Sequence, residues 1–422
     1  MHPPRLTSRL SGGFALATLV GGLFLSPATA HAQQVLGSPA PSPTAVAVPQ
    51  HAGPPGVRTA RHPLMLKVRG HDAHGRPLFA TGAPGGYTAA ELRASVGLKG
   101  TGKGQTVAIV DAFDNPYATQ DLDAYSTQMG LPGVCKGKKT KNCFTFKQVA
   151  PYGVGGLDPG WALESSLDIE MVHAMAPQAT IVLVEAADNS VDAMFQAVDY
   201  AASLHPATIS NSWSFGYEDQ AESTYDRHCR LAHGVCLFSS GDSGNPGGYP
   251  AYNPDVLAVG GTTLGLDRAG TVLSETAWAS SGGGVSLYEP RPAYQPETLN
   301  PNTGRGMPDI SFDADPATGV AVYSTANTGW VKVGGTSVSA PAWAGILAAA
   351  DELRAASGKP ALTAAGDEAQ NAIYHLTTGL ADITEGSNGG CGAVCTAGPG
   401  YDFITGLGSP RPGIDTGLAS AP

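Results

Sequence analysis

The chain has 422 residues, 42% of them hydrophobic, enough to bury a sizeable core in one large domain or two ordinary ones. Only 14% are charged, 35 acidic against 24 basic, and no basic stripe runs through the sequence, which excludes a polyanion such as nucleic acid as the main partner. The 56 glycines and 33 prolines exclude a simple helical bundle and point to short elements joined by many turns.

Arg5 and Arg9 precede an apolar run over 13–25, and Ala30 and Ala32 flank His31, the grammar of an export signal over 1–32 with the mature chain starting near Gln33. The run is short for a spanning helix and ends at Pro27; no later segment is long enough to cross a bilayer, so a secreted, extracellular protein is expected. Residues 33 to about 60 are rich in Pro, Ala and Ser, and 33–86 reads as a short flexible pro-segment or linker. The HDAH string with His71 and His74 falls in that stretch and reads as a solvated loop rather than a metal site. From Tyr87 the pattern changes: Thr88 caps a helix with Leu92 and Val96 on one face.

Strands are then expected at 105–110, 180–185, 208–211, 235–239 and 256–259, with helices at 117–129, 162–176 and 190–204 between them. This alternation, with no solenoid repeat, gives an α/β fold for 87–422: one domain with a doubly wound, mainly parallel sheet flanked by helices. The six cysteines form three sequence-local pairs, Cys135 with Cys143, Cys229 with Cys236 and Cys391 with Cys395, which read as three small disulfide loops; the CxxxC at 391 lacks the second pair a zinc site needs.

The chemistry starts at the string GTSVSAP, residues 335–341, ahead of the apolar helical run 343–350. A serine just before a helix has free amides and the helix dipole beside it, which favours negative charge on a bound carbonyl oxygen, so Ser337 is a candidate nucleophile; the bland reading is an ordinary N-cap. No HGTHV-like segment supplies a histidine base. On the helix at 162–176, Glu164 and Asp168 lie four residues apart and project from one face, whereas His173 lies about 180° round from Glu164. Two neighbouring carboxyls in a partly buried site share a proton, so Glu164 can take the Ser337 proton and Asp168 can orient Glu164; otherwise they are two acids on a solvated face.

The Ser337 string, the segment GWALESSLDIEMVHAMAP around Glu164 and the loop SSGDSG at 239–244 resemble, in sequence and order, the corresponding segments of the sedolisin family of serine-carboxyl peptidases, across roughly 87–422. The resemblance implies a subtilisin-like fold and an acid-acting endopeptidase in which Asp242, where subtilisin-like enzymes place Asn, serves the oxyanion. A carboxyl can do so only while protonated; outside this company it would read as a turn residue. It also implies that Asp111 and Trp213 extend the hydrogen-bond chain behind Glu164 and Asp168, against the plainer reading of a turn cap and a packing ring. Residues 212–216 and 281–286 are expected to line the cleft and pair with an extended substrate.

Near the C-terminus, Asp382-Ile383 and the string GPGYD at 398–402 resemble the sedolisin calcium site, which implies one structural Ca2+ held by side chains of Asp382 and Asp402 and carbonyls of Ile383, Gly398 and Gly400. The alternative is a turn pinned by Cys391 and Cys395 without metal. The expected partners are polypeptide substrates, with no nucleic acid, no membrane after signal cleavage, and a monomer by default. Two other readings stay open: a subtilisin-like peptidase with an unidentified histidine base, and a catalytically dead secreted binding module. The stretch 33–86 is short for the long folded pro-domain of sedolisins, which leaves the origin of any self-inhibition undecided.

Overall fold

In the computed structural model, residues 45–48, 50, 57–62, 64–67, 85–137, 142–216 and 218–422 are described. The expected signal at 1–32 and His71 and His74 lie outside the described residues. The labelled strands are β1 (Ala45–Ala47), β2 (Met65–Lys67), β3 (Thr106–Ala112), β4 (Phe146–Val149), β5 (Thr180–Ala186), β6 (Thr208–Asn211), β7 (Val235–Ser239), β8 (Leu257–Leu266), β9 (Val272–Ala277), β10 (Ile310–Asp313), β11 (Val320–Ser324) and β12 (Gly329–Gly334). The helices are α1 (Ala89–Val96), α2 (Ala118–Met129), α3 (Pro159–Met175), α4 (Val191–Ser203), α5 (Thr336–Ala356), α6 (Glu368–Tyr374) and α7 (Ile414–Ser420).

The central sheet runs β9-β8-β7-β6-β3-β5-β4, with β10 also pairing β8. All its pairings are parallel except β8 with β9. Because strand side chains alternate, β3 feeds two cores: Val107 and Ile109 join the one packed by α1, α2, α3, α5 and α7, while Ala108 and Val110 join the one packed by α4. The expected doubly wound, mainly parallel sheet flanked by helices is what forms. α1 starts at a capping box, with Thr88 accepting from the Glu91 amide and Glu91 accepting from the Thr88 amide.

α3 is buried along its whole length after Pro159, so it is a central helix rather than a surface one. It crosses α5 closely at Gly345, where a Cβ would come within 2.6 Å of the Met175 Cβ. That contact brings the acid-bearing helix against the serine-bearing one. Part of the stretch expected as a flexible linker is built into the unit formed by residues 43–422: β1 and β2 extend β12 and β11 into an antiparallel four-stranded sheet.

Two of the expected disulfides are formed, Cys135 with Cys143 and Cys391 with Cys395. The third is a correction: Cys229 and Cys236 are free thiols, buried and hydrogen-bonded to each other, and Asn211 Nδ2 also lies 3.6 Å from Cys236 Sγ. Burial pushes the Cys229 thiol well above the usual range, which suits an inert core pair.

Candidate active site

α3 is started by Asp158, whose Oδ1 accepts the amides of Gly160 and Trp161, both at 2.9 Å, ahead of Pro159 at the first helical position. Glu164, about one and a half turns past Pro159, and Asp168, about one turn further, point into the molecule and are fully buried. Asp111, near the end of β3, is buried with them, and neither of its oxygens has a partner. Burial holds all three carboxyls well above the usual range; repulsion from Asp168 and Asp111 adds to this at Glu164, from Asp111 at Asp168, and from Glu185, level with it on β5, at Asp111. Such a group cannot ionise throughout and must share protons.

Ser212, just beyond β6, is a member the sequence reading placed only in the cleft wall. Its hydroxyl donates to Asp168 Oδ1 at 2.8 Å and lies 3.4 Å from the Ser337 carbonyl oxygen. It ties the carboxyl helix to the nucleophile's own backbone.

Gly335, with φ of 125°, turns the chain from β12 into α5 through a conformation that a side chain would resist. Ser337 follows in the first turn, where helix amides lack intrahelical carbonyl partners, and its side chain is buried. The hydroxyl lies close enough to Glu164 to favour that carboxyl's charged form, although it does not make a well-aligned hydrogen bond. Poor alignment before substrate binds is common in catalytic pairs.

Asp242 sits in the loop after β7. Its Oδ1 accepts from the Thr336 amide and hydroxyl, both at 2.8 Å, while Oδ2 is shut off from water without a partner. Burial raises its pKa to about 8 in spite of the two Thr336 donors, so Oδ2 carries a proton through the acid range. The structure thus brings Ser337, Glu164, Asp168, Asp242 and Asp111 together.

Trp213 departs from its expected role. Its indole N–H donates to the Val110 carbonyl at 2.9 Å, and its ring packs against Phe195 and Phe238. It holds the end of β3 in place and is not a link in the carboxyl chain. His173 lies apart as its helical angle requires, stacked on Phe144 with Nε2 2.8 Å from the Pro132 carbonyl oxygen.

The cleft contains the chain's own N-terminal segment. Ala60 donates its amide to the Asn189 carbonyl at 2.7 Å and accepts from Asn189 Nδ2 at 3.0 Å. Arg61 and Ser214 exchange both backbone hydrogen bonds, at 2.8 and 3.0 Å. Within 212–216, where pairing with an extended substrate is expected, Ser214 pairs with the chain's own Arg61, whereas 281–286 backs the loop behind it through Gly282 to Gly241 and Gly247 to Gly283. His62 follows in a buried position, with Nδ1 3.8 Å from Glu164 Oε2 and its ring edge-on to Trp161. Burial pulls its pKa down to about 4, against the pull of Asp158. Beside it a cavity of about 260 Å³ is bordered by Asp242, Ser214 and Gly248. Linker-like composition gave no signal for His62.

At the C-terminal loop, Asp382 Oδ2 accepts the Gly400 amide at 2.8 Å, and Asp402 Oδ2 accepts the Gly398 amide at 3.2 Å. Both carboxyls therefore converge on one glycine loop. Asp402 is held above the usual range by burial although amides of Thr405, Ile404 and Gly398 favour its charge. Among the described residues no three His, Cys, Asp or Glu side chains cluster in a metal-like group, so a cation here would depend on backbone carbonyls, which open space around Gly398 and Gly400 allows.

The subtilase family matches residues 155–392, more than half of the chain and the stretch that holds Glu164, Asp168 and Ser337. This is a subtilase-family protein of the sedolisin type. It is 33% identical over 351 residues to kumamolisin of Bacillus sp. (strain MN-32), a match covering 73% of this chain and 59% of that protein. It is 30% identical over 389 residues to sedolisin of Pseudomonas sp. (strain 101), covering 83% and 64%. The chain thus spans about three fifths of the length of these two relatives. The solved structure of Pseudomonas sedolisin, a serine-carboxyl proteinase complexed with pseudo-iodotyrostatin, superposes with a TM-score of 0.67 at 26% identity, over 80% of this chain and 98% of that one. The sedolisin-type sequence strings are therefore carried on a sedolisin-like fold.

Proposed function

We propose that this chain is a secreted, acid-acting serine-carboxyl endopeptidase, with polypeptides as substrates. The observation that carries the proposal is the burial of Ser337 against Glu164 and Asp168 with the proton-bearing Oδ2 of Asp242 turned inward. In this reading Ser337 Oγ attacks the peptide carbonyl carbon while its proton passes to ionised Glu164. Asp242 Oδ2–H donates to the oxyanion as it forms. Glu164 then returns the proton to the amine as the C–N bond breaks; water attacks the acyl-serine, giving a proton to Glu164, which passes it to Ser337 Oγ as the ester C–O bond breaks and the acid product leaves. Asp168, fixed by Ser212, orients Glu164, and Asp111 holds a proton behind them.

The kinship with kumamolisin and sedolisin supports this chemistry, and the absence, among the described residues, of a helix long and apolar enough to cross a membrane is compatible with export. A structural Ca2+ held by Asp382, Asp402 and carbonyls of Ile383, Gly398 and Gly400 would neutralise the exposed Asp382 and buried Asp402 carboxylates. A second reading takes its support from His62 beside Glu164, as an imidazole base. His62 sits on a strand paired into the cleft as a substrate would be, which favours a guest over a catalyst.

The test is peptide hydrolysis in acid by the full chain and by Ser337→Ala. Loss of at least about a thousandfold in rate, with an unchanged circular dichroism spectrum, is expected. Equal cleavage by the two would remove Ser337 from the reaction, and no cleavage by either at any pH would favour a dead scaffold.

A further inference from the structure

Residues 58–62 lie between two walls of the cleft. On one side the Val191 amide donates to the Arg58 carbonyl at 3.2 Å and Asn189 holds Ala60; on the other Ser214 holds Arg61. Extended chains turn alternate side chains to opposite faces, and burial follows that period: Ala60 and His62 are buried and Arg61 is exposed. Arg58 is on the inward-facing register with Ala60 and His62. Its Nη1 donates to Asp219 Oδ2 at 2.7 Å, and its guanidinium carbon lies 5.3 Å from the Phe215 ring centre and 6.0 Å from that of Tyr249.

This cradle is rigid. Asp219 Oδ1 accepts the Ala221 amide and the Asp219 amide donates to Glu222 Oε2, both at 2.8 Å, so Oδ2 is left to face the cleft. The Phe215 amide donates to the Tyr249 carbonyl at 2.9 Å, and the Tyr249 hydroxyl donates to Asp226 Oδ1 at 3.0 Å. Phe215 is further wedged against Phe195 and Trp213. A fixed carboxylate beside two aromatic faces suits a planar cation.

We infer that Asp219, Phe215 and Tyr249 form a substrate subsite for an arginine side chain, four residues upstream of the residue that lies against Glu164, with a small residue required midway where Ala60 is buried. The inference rests on the peptidase reading above. Arg58 is then the chain's own occupant of a site that peptide substrates use.

The test is internal competition on the full-length chain in acid between two peptides of the sequence of residues 57–67, one with arginine and one with citrulline in place of Arg58. The ratio of the two consumption rates reports relative kcat/KM and does not depend on what fraction of the enzyme has an open cleft. The arginine peptide is expected to be consumed roughly tenfold faster, and the preference to fall to near unity in Asp219→Asn. Equal consumption by the unaltered chain, or a preference that survives Asp219→Asn, overturns the subsite and leaves the peptidase reading intact. Failure to consume either peptide, or any other, counts against the peptidase reading itself and the subsite with it.

Discussion

Asp242 divides its two oxygens: Oδ1 caps the first turn of α5 through Thr336, and Oδ2, without a partner, is the donor proposed for a developing oxyanion. Its pKa is raised to about 8, so the neutral form persists below that pH and the donor is lost as pH rises through it. Asp242→Asn keeps a donor at every pH; its pH–rate profile should fall off at higher pH than that of the unaltered chain. Asp242→Ala should lose roughly a hundredfold or more in kcat, the cost of one oxyanion donor. An alkaline limb unmoved by Asp242→Asn would assign that limb to another group. Glu164 and Asp168 were legible because helical spacing alone puts them on one face, and Asp242 because its loop string is distinctive. Ser212 and the Trp213 hydrogen bond were not, since which polar atom a buried side chain meets is set by packing between distant strands.

At the scale of elements, the segment with β1 and β2 places residues 58–62 in the cleft. Its composition marked it as linker, and nothing in a period-2 or period-3.6 pattern tells that a five-residue stretch will find two waiting edges. The helices and strands of the domain were legible because each carries its own periodicity, although ends moved where tertiary packing extended them, as for α5, which begins at Thr336 and runs to Ala356. His62 is buried and neutral, facing Glu164, Trp161 and Gln50, with Asp158 nearby. Because its pKa in the docked segment lies at about 4, docking is complete above the ordinary histidine range and weakens as pH falls through about 4. His62→Ala in the full chain should raise the initial rate on a reporter peptide several-fold at pH 5 to 6; an unchanged or lower rate would show that the segment does not limit access. The proposed calcium site makes its own prediction. Chelator should lower the melting temperature of the full chain and added Ca2+ restore it, and Asp402→Asn should remove that response; a chelator-insensitive chain would favour the disulfide-pinned turn.

Over the whole molecule, buried carboxyls with raised pKa are numerous: Asp313 and Glu222 at about 8, and Glu185, Asp226 and Asp351 at about 7, besides Asp242. Burial is the first cause of each. The folded state binds protons that the unfolded chain releases, so these groups stabilise fully in acid and that stability is lost as pH rises to about 8. His62 and His173, held at about 4, act in the opposite sense below the ordinary histidine range, so the loss is steepest between about pH 6.5 and 8. Scanning calorimetry should show a melting temperature lower by at least ~5 °C at pH 8 than at pH 5; a higher value at pH 8 would mean that these carboxyls are ionised in the fold. The central claim, that carboxyls and no imidazole activate Ser337, is tested most directly by the pH–rate profile of the His62→Ala chain, which lacks the imidazole found beside Glu164. Activity that is retained, greatest in acid and lost as pH rises through about 8 is the predicted result. A chain silent without His62, or most active at neutral to alkaline pH, would contradict it.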